Sequence, residues 1–157
     1  MSILRIILGD QLSLDLAALD DLDPGRDTVL MMEVVQETTY VRHHKQKIVL
    51  VLSAMRHFAD VLRQRGLKVD YERLDAPDNT GSLTTEVQRA AARHRPSRIV
   101  VTEPGEWRVQ ALVETGRPLP GPLSRSAPIV ASLRVAPGSL PGRAGVVAGG
   151  WSISIAR

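Results

Sequence analysis

From Lys45 to Arg65 the apolar residues Ile48, Val51, Leu52, Met55, Phe58, Ala59 and Leu62 recur at helical spacing, the signature of a helix with one buried face. Short apolar runs flank it, Thr28 to Val35 before and Leu67 to Leu74 after. A helix set between two runs of strand length is the unit that joins parallel strands. The same alternation extends outward. Ile3 to Leu8 is an apolar, β-branched run ended by Gly9, and Leu12 to Leu19 reads as a short helix. Gly66 stands where a helix C-cap glycine is expected. Ser82 is placed to cap a helix whose apolar positions include Leu83, Val87, Ala90 and Ala91, and Pro96 ends it. Arg98 to Thr102 is a fourth strand, and Glu106 to Val113 opens another helix. The predicted fold is α/β: a Rossmann-like open parallel sheet of about four strands in the order 3-2-1-4, with helices on both faces. The third strand is the least apolar and belongs nearest an edge.

The 157 residues suffice for one domain with a real core. Aromatic residues are only 3% of the chain, so aliphatic side chains must fill that core. There is no cysteine, which excludes a disulfide framework, a thiol nucleophile and a cysteine-ligated cluster within this chain. No apolar run approaches the length of a membrane span, and Met-Ser-Ile-Leu-Arg leads directly into the first strand without a signal-peptide pattern. A cytoplasmic protein without membrane partners is the expectation. The net charge of +3 is unevenly spread. Residues 1–113 carry 15 Lys and Arg against 16 Asp and Glu, and residues 114–157 carry five Arg against one Glu. A neutral body with a thinly basic end is a weak nucleic-acid signal.

Two regions follow, 1–113 and 114–157. Six of the ten prolines and seven of the twelve glycines fall in the second, and no helical period survives there. The runs Ala127 to Val135 and Val146 to Ile155 have strand character, but Pro, Gly, Ser and Arg punctuate them. One reading is a flexible or poorly packed tail. The preferred one is an out-of-frame or remodelled end, because Ala, Arg, Gly, Pro, Ser and Val are what a G+C-rich gene yields in a wrong frame. Either way an irregular tail is expected.

In an open parallel sheet, ligands bind outside the carboxyl ends of the strands. The segments predicted for that edge are rich in polar groups: Gly9-Asp10-Gln11 after the first strand, then Glu33, Gln36, Glu37, Tyr40, His43 and His44, then Asp75, Asp78, Asn79 and Ser82, then Thr102, Glu103, Glu106 and Trp107. Loops at the opposite edge, such as Arg65-Gly66-Leu67, are short and plain. Each residue also has a plainer role open to it. Gly9 is a turn glycine or a close-approach glycine. Asp10 is a helix cap or an acceptor for a polyol or a ring N–H. Glu37 and Tyr40 share a face on a helical turn or sit in a solvated loop. His43 and His44 diverge by about 100° on a helix and make a poor metal pair. Trp107 is a packing residue or a stacking platform. There is no GxGxxG, Walker lysine or serine elbow, so dinucleotide, P-loop and hydrolase readings gain no support.

The wording of these segments, LGDQLS, EVVQETTYVRHHKQKI, SAMRHFA, NTGSL and VTEPGEWRV, resembles the photolyase-related proteins of the cryptochrome/photolyase superfamily, the bacterial branch that carries an iron–sulfur cluster. The resemblance runs from about Leu4 to Val113. It implies an N-terminal antenna domain that holds a lumazine, 6,7-dimethyl-8-ribityllumazine, with Gly9, Asp10 and Gln11 at the site and Glu33, Glu37, Tyr40 and His43 near it. It further implies that FAD, the cluster and the contact with DNA belong to a helical C-terminal domain, and that a fifth strand lies beside the fourth. Nothing in this sequence matches that helical domain. The expected function is therefore that of an antenna-domain fragment of a light-dependent DNA-repair or photoreceptor protein, not catalytic alone. The alternative is a stand-alone small-ligand or nucleotide-binding α/β module.

Overall fold

The computed structural model describes residues 2–39, 41–105, Val109 and Ile153–Ala156. The sheet has β1 (Ile3–Ile6), β2 (Thr28–Met32), β3 (Val69–Glu72) and β4 (Arg98–Thr102) in the order 3-2-1-4, all parallel. These are the four strands and the order predicted from the sequence. A further strand, β5 (Ile153–Ala156), pairs parallel with β4 from Ile99 to Thr102. The expectation of an irregular end therefore fails at these four positions. Two β-branched isoleucines there suit a strand, and the outer edge of β4 offers them unpaired backbone groups. The remainder of that region lies outside the described residues, as do Tyr40, Glu106 and Trp107.

Successive residues of a strand face opposite sides of a sheet, and the core divides accordingly. Leu4, Ile6, Leu30, Met32, Ile99 and Val101 pack with Leu83, Val87 and Ala90 of α3 (Leu83–His94) and with Val109. Ile7, Val29 and Met31 pack with Met55, Phe58, Ala59 and Leu62 of α2 (Lys45–Gln64). One long helix thus covers each face. Gly66, at φ +81, ends α2 in the left-handed region, and the Leu67 N–H donates back to the Leu62 carbonyl at 3.2 Å. That is the predicted C-cap.

Two local expectations are corrected. The predicted Leu12–Leu19 helix is reduced to a single 3-10 turn, Ala17–Leu19. Arg5, buried on β1, holds the chain at and just after this turn: its guanidinium donates to the carbonyls of Ala18 (2.8 Å), Asp20 (2.6 Å) and Asp21 (3.0 Å) and to the Asp27 carboxylate. Ser82 does hold the N-cap position of α3, but its hydroxyl makes no cap bond. The Leu83 N–H donates instead to the Gln36 side-chain oxygen at 3.3 Å. A short helix, α1 (Val35–Thr39), follows β2, where the sequence left a helical turn or a solvated loop open. Among the described residues, no helix is long and apolar enough to cross a membrane.

Candidate functional site

A cleft of about 240 Å3 opens at the carboxyl edge of β1 and β2. Its apolar walls are Ile7, Met32 and Val34 from the sheet side, Ile48, Val51, Leu52 and Met55 from α2, and Leu83, Pro104 and Val109. Gly9, Asp10, Glu33, Glu37, Thr38, His43 and Lys47 supply its polar boundary. It lies where strand order puts a crevice: β1 leads through the Gly9 loop on one side, and β2 leads into α1 on the other.

The loop after β1 is a tight turn in which the Gln11 N–H donates to the Leu8 carbonyl at 3.0 Å. Gly9 has the turn role open to it. It sits in this turn, and a Cβ there would come within 3.0 Å of the Met55 sulfur, so its small size lets α2 close one wall. Asp10 is exposed at the rim. Gln11 is buried and turned elsewhere. Its amide donates to the Thr102 and Glu103 carbonyls at 3.2 Å each, tying the loop to the end of β4.

Glu33 and Glu37 divide the work of the β2 end. The Glu33 side chain has no exposed surface. Its carboxylate accepts from Arg56 Nε and Nη2 at 2.6 and 2.8 Å, from the Tyr71 hydroxyl at 2.7 Å and from the Leu74 N–H at 3.0 Å. Burial alone would raise this carboxyl. The hydrogen bonds from Arg56, Leu74 and Tyr71, with the Arg56 charge, outweigh burial and hold it below the usual range. Burial, together with the Glu33 contact, pushes the Tyr71 phenol up. Glu33 is thus a strut behind the wall. Glu37, one turn later on α1, faces the cleft with Thr38.

The histidine pair is likewise divided. His44 caps α2, its Nδ1 accepting from the Gln46 N–H at 3.3 Å. His43 lines the cleft and stands 3.4 Å from the Lys47 ammonium. Of the seven residues picked out by sequence, the cleft gathers Gly9, Asp10, Glu33, Glu37 and His43. It does not include Gln11, and Tyr40 lies outside the described residues. Lys47, in the first turn of α2, joins the boundary beside His43, which precedes that helix, and the sequence did not single it out. Arg56 and Tyr71, the partners of Glu33, were not singled out as site residues, because only the packing of α2 and β3 brings them to it.

A wider depression of about 600 Å3 lies at the opposite edge, near Ser2, Lys68 and Asp70. Its charges are already engaged: Asp70 with Arg93 at 2.6 Å and His94 at 2.5 Å, and Lys68 with the Gly25 carbonyl at 2.6 Å. Burial would raise Asp70, but the bonds to His94 and Arg93 hold it low. The smaller cleft is the better site. It is an apolar slot with acceptors at its rim, suited to a flat ring whose edge or side chain donates hydrogen bonds. No group of three or more His, Asp or Glu converges on a metal position among the described residues.

Comparison with known proteins adds the following. A family profile described as "Deoxyribodipyrimidine photo-lyase-related protein" matches residues 5–120. A (6-4) photolyase of Agrobacterium fabrum is 57% identical over 111 residues, which are 71% of this chain and 22% of that protein. The chain thus spans about a fifth of the length of this curated relative. Among solved structures, a universal stress protein family member from Burkholderia pseudomallei aligns with 64% of this chain and 79% of its own at 17% identity and a TM-score of 0.37, a similarity too slight to argue from.

Proposed function

The chain belongs to the deoxyribodipyrimidine photo-lyase-related protein family, and from that membership we propose that its cleft binds an antenna chromophore of the lumazine class. The observation that carries this reading is the pairing of an aliphatic slot with the acceptors Asp10 and Glu37 at its rim. A ribityllumazine is a flat heterocycle with a polyol tail. Ile7, Met32, Val51, Leu52 and Met55 would hold the ring, and Asp10, Glu37, Thr38 and His43 would take its polar groups. When bound, such a group absorbs near-ultraviolet to blue light and passes on the excitation. The chain's own part is to orient the ring and exclude water from it.

By kinship with a (6-4) photolyase, the larger process is light-dependent DNA repair or photoreception. In this reading FAD, an iron–sulfur cluster and DNA are held by protein beyond the matched segment. This sequence has no cysteine and does not fit a cysteine-ligated cluster. A nucleotide-binding module is the competing reading, and the test separates the two. The experiment is a fluorescence titration with 6,7-dimethyl-8-ribityllumazine, with ATP and FMN as competitors. Removing a charged hydrogen-bond partner costs about 1.5–3 kcal/mol, so Glu37→Ala should weaken binding roughly ten- to a hundredfold. Lys68→Ala, at the far edge, should leave it unchanged. Equal affinity of all three proteins would place the site elsewhere, and tight ATP binding without lumazine would favour the competing reading.

A further inference from the structure

We infer that Asn79, acting with the buried Glu33 carboxylate, is a positioning residue that sets α1 over the cleft. This deepens the ligand-binding reading and rests on it. The need for such a device follows from α1 itself. It has five residues and none of them is buried, so neither helix propensity nor core packing can fix it. Yet Glu37 and Thr38, which it carries, form one side of the cleft. Something else must hold them in place.

The holding bonds converge on residues 33–36, which follow β2. The Glu33 N–H donates to the Glu72 carbonyl at 2.9 Å. The Glu33 carbonyl accepts from Asn79 Nδ2 at 2.7 Å, and the same nitrogen donates to the Arg73 carbonyl at 2.7 Å. Asn79 Oδ1 accepts from the Gly81 N–H at 2.8 Å. The Gly81 carbonyl in turn accepts from the Gln36 N–H at 3.0 Å. Asn79 therefore grips the start of the segment directly and its end through Gly81, whose φ of +74 turns the loop towards α1. Behind the segment, the Glu33 side chain is locked to α2 through Arg56 and to β3 through Tyr71. Asn79 does not itself line the cleft. Its effect on a ligand must pass through α1.

The test is amide hydrogen exchange of the full chain, which reads local opening without any ligand. The proteins are the wild type, Asn79→Ala, Asn79→Asp, Tyr71→Phe and, as a control, Asp75→Ala at an exposed site. In Asn79→Ala, the Gln36 and Glu37 amides should exchange at least about tenfold faster, the effect of losing roughly 1.4 kcal/mol of local protection. Ala59 and Leu62, inside α2, should keep their rates. Asn79→Asp retains the acceptor for Gly81 but sets a carboxylate oxygen against the Glu33 and Arg73 carbonyls, and should exchange at least as fast as Asn79→Ala at the same amides. Tyr71→Phe removes one of the bonds on Glu33 without opening a cavity, and should give a smaller rise confined to the same amides. If Asn79→Ala does not fold, Asn79→Asp and Tyr71→Phe carry the comparison. Unchanged exchange at Gln36 and Glu37, or a rise shared equally by α2, would overturn the inference. With lumazine, Asn79→Ala should bind about tenfold more weakly than the wild type, and equal affinity would also overturn it. Lack of lumazine binding by the wild type would count against the ligand reading alone, and the exchange rates would still judge the clamp.

Discussion

Glu33 and Glu37 show how little residue type says about role. Both are acidic, both follow the second strand, and the sequence marks both as candidates. Only the partners tell them apart, and those come from residues 23 and 38 positions away, Arg56 and Tyr71. Glu72 presents the opposite case. It is buried, and burial together with the nearby Glu86 and Asp78 carboxylates raises its pKa above 4.5. A carboxyl raised in the fold favours its protonated form there. Its contribution is most favourable below the unfolded value and is lost as pH rises through the folded one. Glu72→Gln should therefore stabilise the protein at pH 7 by on the order of 0.5 kcal/mol. The gain should vanish in thermal melts run below the ordinary Glu value of 4.5. Arg5 and Asp27, both only 3% exposed, are a pair that must not be halved. Asp27→Ala leaves the guanidinium uncompensated and should cost about 3–5 kcal/mol by urea denaturation. A loss below 1 kcal/mol would mean that the three carbonyls on Arg5 hold it without Asp27.

At the scale of elements, legibility followed apolar periodicity. β4 appears over the residues expected, and α2 ends one residue short of its predicted boundary. Each has a stripe or run long enough to dictate its period. Where a side chain overrides local preference, the sequence misleads. The stretch from Leu12 to Leu19 reads as a short helix, yet it forms only the turn Ala17–Leu19, where the buried Arg5 of β1 holds the Ala18 and Asp20 carbonyls. α1 has no apolar stripe to read, because distant hydrogen bonds hold it. The ends of the two long helices give a matched pair of expectations. Gly66 sits at φ +81, and Gly66→Ala should lower stability by about 1 kcal/mol. Arg95 ends α3 at φ +45 with a side chain that disfavours that region, so Arg95→Gly should raise stability by a similar amount, about 1 kcal/mol. Chemical denaturation of both variants checks the pair, and changes of the same sign would contradict it.

For the molecule as a whole, the parallel sheet and its strand order were legible because alternating strands and helices leave few topologies. The edge of the sheet that carries the cleft was legible for the same reason. The shape of the cleft was not. Its walls come from both core layers and from Pro104 and Val109, far apart in sequence from Ile7 and Met55. The fifth strand was only half legible: the resemblance implied one beside the fourth and Val146 to Ile155 had strand character, but nothing in that run tied it to this edge. The ligand reading turns on whether this crevice is where a chromophore sits, and mapping of backbone amide chemical shifts during a lumazine titration tests it most directly. The largest changes should fall on Gly9, Asp10, Glu37, Thr38 and His43, with Lys68, Asp70 and Arg93 at the far edge unmoved. Changes centred on that far edge, or no changes at saturating lumazine, would contradict the account.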